Sequence, residues 1–91
     1  MKVWNMSKRN RALTYDQVLA GVIEGIEAVD FSIGKVEPSS RIVEDLEFDS
    51  LDLVEVVMEL EDRFRIDISY ADADQVETVD DFVKLIMRQV G

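Results

Sequence analysis

Few side chains in this 91-residue sequence could take part in chemistry, and the most informative of them is Ser50. It lies in residues 46–52 (Leu-Glu-Phe-Asp-Ser-Leu-Asp), where the pattern predicts the start of a helix. The first turn of a helix presents free N–H groups and a partial positive charge, both of which favour an anion. A serine hydroxyl at this position is therefore well placed to carry a phosphate group.

Ser50 also has an ordinary interpretation, because serine is a preferred N-cap and most serines at helix starts do nothing more. The neighbouring Asp49 can take the capping role instead. Ser50 would then occupy the first helical position with its hydroxyl facing outward. Asp49 and Asp52 are weak candidates for paired catalytic carboxylates, since an exposed helix start offers no evident pocket to perturb them.

The helix predicted from residue 49 or 50 to about Arg65 has three distinct faces. Its core face consists of Leu53, Val56, Val57, Leu60 and Phe64. The opposite face carries an acidic stripe made of Asp52, Glu55, Glu59 and Asp62, which is bordered by the apolar Leu51, Val54 and Met58. Like charges along the stripe oppose the helix by about 1 kcal/mol in total, and Arg63 is expected to point to one side. A solvated acidic face is compatible with this spacing, but the bordering apolar residues favour a docking surface.

The remaining periodicity predicts an all-α domain. Thr14, with Gln17 three residues later, caps a first helix over roughly residues 15–28. Residues 30–48 form a long loop with a possible helical turn near 40–46, a short helix spans residues 70–76, and Thr78 caps a last helix that reaches about Val90. We predict a four-helix bundle of three main helices and one short helix, with the long loop between helices 1 and 2.

Composition and charge limit the partners of the chain. Net charge is −10, yet residues 1–13 contain four bases and no acid, so residues 14–91 carry −14. We predict a flexible basic arm over residues 1–13 and one domain over residues 14–91. The acidic domain should repel nucleic acid and favour basic protein surfaces. No apolar run suggests membrane insertion and no signal-peptide pattern is present, so we expect a cytoplasmic monomer.

Two residue types that carry much of protein chemistry are absent from the sequence. Without cysteine there is no disulfide, thiolate catalyst or cysteine zinc site, and without histidine the commonest general base and metal ligand are missing. Two stretches that begin at Asp45 and Asp72 alternate acids like a calcium loop. An EF-hand loop needs glycine at its sixth position and glutamate at its twelfth. The first stretch has Ser50 and Val56 at these positions, and the second has Glu77 and Val83. We therefore expect no metal site.

Residues 49–52 (Asp-Ser-Leu-Asp), followed by residues 54–64 (Val-Glu-Val-Val-Met-Glu-Leu-Glu-Asp-Arg-Phe), resemble the acyl carrier protein family. The likeness includes residues 43–46, continues through residues 66–68 and 77–79, and with the first helix covers about residues 14–90. The tripeptide Asp-Ser-Leu is a weak signal by itself. Combined with this helix, this chain length and this acidity, it becomes a strong one.

The resemblance implies that Ser50 is the attachment point of 4′-phosphopantetheine, installed from coenzyme A by a phosphopantetheinyl transferase. The thiol of that arm would hold an acyl group as a thioester, which explains why the chain needs no cysteine. The protein would be a carrier, not an enzyme, serving fatty acid, lipid or polyketide-type biosynthesis. An aminoacyl or peptidyl carrier, and an unmodified acidic module for protein interaction, remain alternatives.

The resemblance also implies roles for residues near Ser50. Asp49 and Leu51 would assist recognition by the transferase. Acyl-loading and acyl-using enzymes with basic surfaces would dock on Asp52, Val54, Glu55, Met58, Glu59 and Asp62. Ile42, Leu60 and Val76 could line a cleft for the acyl chain, although core packing explains them equally well.

The sequence departs from the family pattern directly before Ser50. The family usually has glycine three residues before the serine and a small residue next, whereas this chain has Glu47 and Phe48. Glutamate adopts positive φ less readily than glycine, so the end of the loop is expected to differ in shape. This departure favours a specialised carrier of a dedicated pathway.

Overall fold

The computed structural model describes residues 13–90, which contain four helices and no strand. In chain order the helices are α1 (Tyr15–Val29), α2 (Ser50–Phe64), α3 (Tyr70–Asp74) and α4 (Val79–Val90). The predicted all-α bundle of three main helices and one short helix is confirmed. The predicted basic arm falls almost entirely on residues 1–12, which lie outside the described residues. Leu13 is half-buried and packs against the core.

The start of α1 is fixed by the capping box that the sequence predicts. The Gln17 N–H donates to the Thr14 hydroxyl at 3.2 Å, and the Thr14 N–H donates to the Gln17 side-chain oxygen at 2.9 Å. These two bonds satisfy N–H groups that the helix cannot pair internally. Val18, Val22 and Ile26 then fall on one face of α1 and are fully buried.

Two glycines allow α1 and α2 to pack closely in antiparallel directions. Gly21 lies against the ring of Phe64, near the end of α2, and Gly25 lies against Leu60 one turn earlier. A Cβ atom at either glycine would collide with its neighbour. The absence of a side chain at these two positions therefore determines how near the two helices lie.

The core is formed chiefly by α1, α2 and α4. Val56 and Leu60 are the buried residues of α2, whereas the other residues of its predicted core face are half-buried at the core edge. The buried side of α4 consists of Val79, Phe82, Val83, Leu85 and Ile86. Among the described residues no polar or charged residue is buried, so hydrophobic burial supplies the main stabilisation.

The long loop is held against the start of α4 by backbone hydrogen bonds. Ile42 donates to the Glu77 carbonyl at 2.9 Å, and Val79 donates to the Ser40 carbonyl at 3.0 Å. At residues 41–46 the chain forms a hydrogen-bonded turn in which the N–H groups of Asp45 and Leu46 both reach the Arg41 carbonyl. This turn is where the sequence predicted a possible helical turn.

The connection between α2 and α3 is short and well bonded. Arg65 ends α2 in the left-handed conformation, at φ 57°. The Glu61 carboxylate then accepts the N–H of Ile68 at 2.8 Å. The third helix ends at Asp74, two residues earlier than predicted, because Gln75 bonds back to the Asp72 carbonyl in a tighter turn.

Candidate functional site

Ser50 is the first residue of α2, and its side chain is exposed. Asp49 takes the capping role: its carboxylate accepts the N–H of Asp52 at 2.9 Å. In return, the N–H of Asp49 donates to the Asp52 carboxylate at 3.1 Å. Since Asp49 and Asp52 cap the helix reciprocally, the Ser50 hydroxyl is not needed for capping and faces outward.

The backbone around Ser50 forms the positive end of α2. The N–H of Leu53 makes the first intrahelical bond, to the Asp49 carbonyl at 3.0 Å, and the N–H of Asp52 is taken by Asp49. Helix geometry leaves the N–H groups of Ser50 and Leu51 without an intrahelical carbonyl. These two donors can meet the oxygens of a phosphate attached to Ser50.

The segment before Ser50 is anchored by a buried aromatic side chain. Phe48 is 4% exposed, and its N–H donates to the Ile42 carbonyl at 3.1 Å. Glu47, directly before it, adopts φ 60° with an exposed side chain. Glutamate takes this conformation here between two buried neighbours, Leu46 and Phe48. The conformation costs about 1 kcal/mol at a residue other than glycine.

The outer face of α2 combines apolar and acidic side chains. Leu51 is 66% exposed and Met58 is 62% exposed, with Val54 between them at 37%. The carboxylates of Asp52, Glu55, Glu59 and Asp62 alternate with these apolar residues along the helix. We call this set of seven residues the α2 face. It joins an apolar centre to a charged rim, as in surfaces that bind other proteins.

Arg63 does not simply point aside, as the sequence suggested, but reaches two carboxylates. Its Nη1 lies 3.0 Å from a carboxylate oxygen of Glu24 on α1, and its Nε lies 3.7 Å from one of Glu59. Arg63 therefore neutralises part of the acidic stripe and ties α2 to α1. Helical periodicity could not show this contact, because Glu24 is distant in sequence.

Three surface grooves meet at Met58. A groove of about 290 Å³ separates α2 from the end of α1 and is lined by Ala28, Val29, Glu55, Met58 and Glu59. A more apolar groove of about 210 Å³ lies between α2 and α3 and is lined by Leu53, Val54, Val57, Met58, Glu61, Ile68, Tyr70 and Ala73. The third, of about 620 Å³, runs from Met58 to the residues that follow α2. Met58 thus lines all three grooves on the exposed side of α2.

The residues predicted to line an acyl cleft do not share one of these grooves. Ile42 is 2% exposed and Leu60 is fully buried, so both belong to the core. Val76 is half-buried and lines a separate groove of about 200 Å³ between α3 and α4. Sequence analysis missed Ile68 and Ala73 in the apolar groove beside α2, because their approach depends on how the α2–α3 connection folds.

Three carboxylates with shifted pKa values support the loop and the start of α4. Hydrogen bonding from the Arg41 side chain lowers the pKa of Asp45, and hydrogen bonding from Tyr15 lowers that of Asp80. Backbone N–H groups of Glu77 and Thr78 lower the pKa of Asp81. In each case the protein stabilises the charged carboxylate, which strengthens the frame around the site.

Two other features are absent from the described part of the chain. Between residues 13 and 90, no three acidic residues converge in an arrangement that could hold a metal ion. No helix in the same range is long and apolar enough to cross a membrane.

Comparison with known proteins identifies a consistent set of relatives. A protein-family model described as the phosphopantetheine attachment site matches residues 17–86. A protein of Helicobacter hepaticus named acyl carrier protein is 45% identical over 73 residues, which cover 80% of this chain and 92% of the relative. One of the same name from Campylobacter jejuni is 42% identical, with 80% and 91% covered.

A solved structure agrees with these sequence matches. A candidate acyl carrier protein from Mycobacterium tuberculosis superposes with a TM-score of 0.74 and 30% identity. The match covers 79% of this chain and 97% of the other. The described helices therefore correspond to nearly the whole of that domain.

Proposed function

Because the chain belongs to the acyl carrier protein family, we propose that Ser50 is the residue that carries its covalent 4′-phosphopantetheine. The observation that carries this proposal is the division of roles at the start of α2. Asp49 and Asp52 cap the helix with their carboxylates, while Ser50 presents a free hydroxyl to solvent. A transferase can therefore modify Ser50 without disturbing the cap.

The chemistry around Ser50 fits the group. The N–H groups of Ser50 and Leu51 and the positive end of α2 would hold the phosphodiester oxygens. The thiol of the arm supplies the thioester chemistry that a chain without cysteine lacks. The protein is a carrier, not an enzyme, and presents its cargo to other proteins at high effective concentration.

We place the cargo in fatty acid, lipid or polyketide-type biosynthesis. The relatives from Helicobacter hepaticus and Campylobacter jejuni are both named acyl carrier protein, which favours an acyl cargo. An aminoacyl or peptidyl carrier is the alternative within the same architecture. Glu47 and Phe48 replace the small residues usual before the serine, so we propose a specialised carrier of a dedicated pathway. We place it separately in the cytoplasm.

The α2 face is our proposed docking surface for the transferase and for acyl-processing enzymes. Asp49 and Leu51 lie beside Ser50, and the transferase would contact both when it recognises the site. The exposed Val54 and Met58 would enter the interface, while the flanking carboxylates attract basic residues of the partner. Ile42, Leu60 and Val76 are retained as candidates for the acyl cleft. Ile42 and Leu60 would become accessible only if the core opens, whereas Val76 already lines the groove between α3 and α4.

Intact mass decides between a carrier and an unmodified interaction module. After coexpression with a broad-specificity phosphopantetheinyl transferase, the wild-type protein should gain the mass of one phosphopantetheine. Ser50→Ala should gain none, whereas the control Ser69→Ala should be modified like wild type, since Ser69 only caps α3. An unmodified wild-type protein, or a modified Ser50→Ala variant, would contradict the proposal.

A further inference from the structure

The exposed apolar surface of this protein does not end with α2. Phe31 is 91% exposed, whereas Phe48 and Phe82 are 4% and 0% exposed and Phe64 is half-buried. It lies two residues after the end of α1, close in sequence to Ala28 and Val29. Those two residues form the α1 side of the 290 Å³ groove whose other side is Glu55, Met58 and Glu59.

The turn that presents Phe31 is held in a defined shape. The Ile33 N–H donates to the Asp30 carbonyl at 3.1 Å. The Asp30 carboxylate accepts both the N–H of Ser32 at 3.1 Å and its hydroxyl at 2.6 Å. These three bonds hold the turn rather than the ring itself, so the turn loses little conformational freedom when a partner covers Phe31. We call residues 28–31 the α1 end.

The charge around the groove specifies a basic occupant. Glu55 and Glu59 rim its α2 side, and Glu27 and Asp30 lie on or beside the α1 end. The last turn of α1 contains no basic residue, so the negative end of its dipole is not neutralised within the helix. These four carboxylates are part of a net charge of −14 over residues 14–91.

We infer that the docking surface includes the α1 end as well as the α2 face, and that the groove between them receives a basic amphipathic segment of a partner enzyme. An apolar side chain of that segment enters between Val29 and Met58, while its arginines or lysines meet Glu55 in the groove and Asp30, which directly follows α1. At Glu59 they compete with Arg63, whose Nε lies 3.7 Å away. Phe31, exposed two residues after Val29, extends the apolar contact beyond the groove. This inference rests on the proposed carrier function for the identity of the partner.

A model peptide tests the surface without depending on modification of Ser50. The probe is a synthetic helical peptide with leucines every three or four residues, flanked by arginines. It is titrated into isotope-labelled Ser50→Ala protein, and the amide NMR shifts are followed. Shifts should appear together in residues 28–31 and 55–59, and affinity should fall as salt rises from about 0.02 M to about 0.3 M.

Matched variants isolate the contribution of Phe31. Phe31→Ser should raise the Kd for the peptide roughly fivefold, since exposed aromatic anchors contribute strongly to interfaces. Val43→Ser removes an apolar side chain that is 65% exposed in the turn at residues 41–46, and it should leave the Kd unchanged. Circular dichroism of both variants checks that the fold is retained.

Three results would overturn the inference. The first is no binding of the peptide at low salt. The second is a set of shifts confined to residues 51–62, with Phe31→Ser binding as Val43→Ser does. The third is self-association of the free protein that Phe31→Ser abolishes, which would make a second copy the occupant. A failure of Ser50 modification would contradict the carrier function but would not change the peptide result.

Discussion

Gly25 of α1 lies directly against Leu60 of α2, so that a Cβ atom on Gly25 would stand 2.8 Å from Leu60 Cδ2. Leu60 is fully buried and belongs to the core below the α2 face. This contact therefore couples the position of α1 to the helix that begins at Ser50. It also places the α1 end beside Glu55 and Met58.

We expect Gly25→Ala to destabilise the protein by about 1 kcal/mol, although alanine favours helices more than glycine does. Leu60 is fully buried, so either its side chain repacks within the core or α1 shifts outward, and both cost stability. Gly34→Ala is the control, since a Cβ there meets nothing within 4 Å. Urea unfolding measures both free energies, and equal stability of the two variants would contradict the close packing.

Glu47→Gly should raise the free energy of unfolding by up to about 1 kcal/mol, because it removes the strain of a glutamate at φ 60°. The side chain is exposed, so little contact is lost. Glu44→Gly, at an exposed position without positive φ, should instead be neutral or destabilising. A loss of stability in Glu47→Gly would show that its side chain does more for the loop than its backbone strain costs.

Asp49 can be tested separately as a helix cap and as a charge. Asp49→Ala should cost about 1 kcal/mol of stability, whereas Asp49→Asn should keep the cap, because asparagine is an equally good N-cap. If the transferase reads the carboxylate, Asp49→Asn should still lower kcat/KM for modification several-fold. Modification of Asp49→Asn at the wild-type rate would restrict Asp49 to capping.

The pH dependence of stability should reveal the Asp81 contacts. Its carboxylate accepts the N–H groups of Glu77 and Thr78 at 2.9 and 3.0 Å, which lowers its pKa. A lowered pKa in the folded state contributes stability above the unfolded-state pKa of about 3.9, and this stability is lost as pH falls through the folded-state value.

Asp81→Asn should therefore be less stable than wild type near neutral pH, by up to about 1 kcal/mol. The difference should begin to shrink as pH falls below about 3.9 and disappear only as the wild-type carboxylate is protonated in the folded state, at its lowered pKa. Asp74→Asn removes the same charge from an exposed position on α3 and should cause no such loss. Thermal unfolding across pH 3–7 measures all three proteins, and a pH-independent difference would contradict the role of the Asp81 charge.

Local sequence determined where the three long helices begin and which side chains share the outer face of α2. Thr14 with Gln17, Asp49 beside Ser50, and Thr78 with Asp81 place the starts of the three long helices, because capping depends on residues a few positions apart. The acidic and apolar alternation along α2 likewise follows from its 3.6-residue period. The position of Ser50 at an exposed, capped helix start could thus be predicted before any tertiary contact was known.

Tertiary structure decided what depends on residues far apart in sequence. Arg63 pairs with Glu24 of α1 as well as with Glu59. Glu47 adopts positive φ between two buried neighbours, and the end of α1 lies beside Met58. Side-chain periodicity describes one helix at a time and cannot give the distance between two helices. That distance follows from packing at Gly21 and Gly25, and it creates the groove that we propose for a partner.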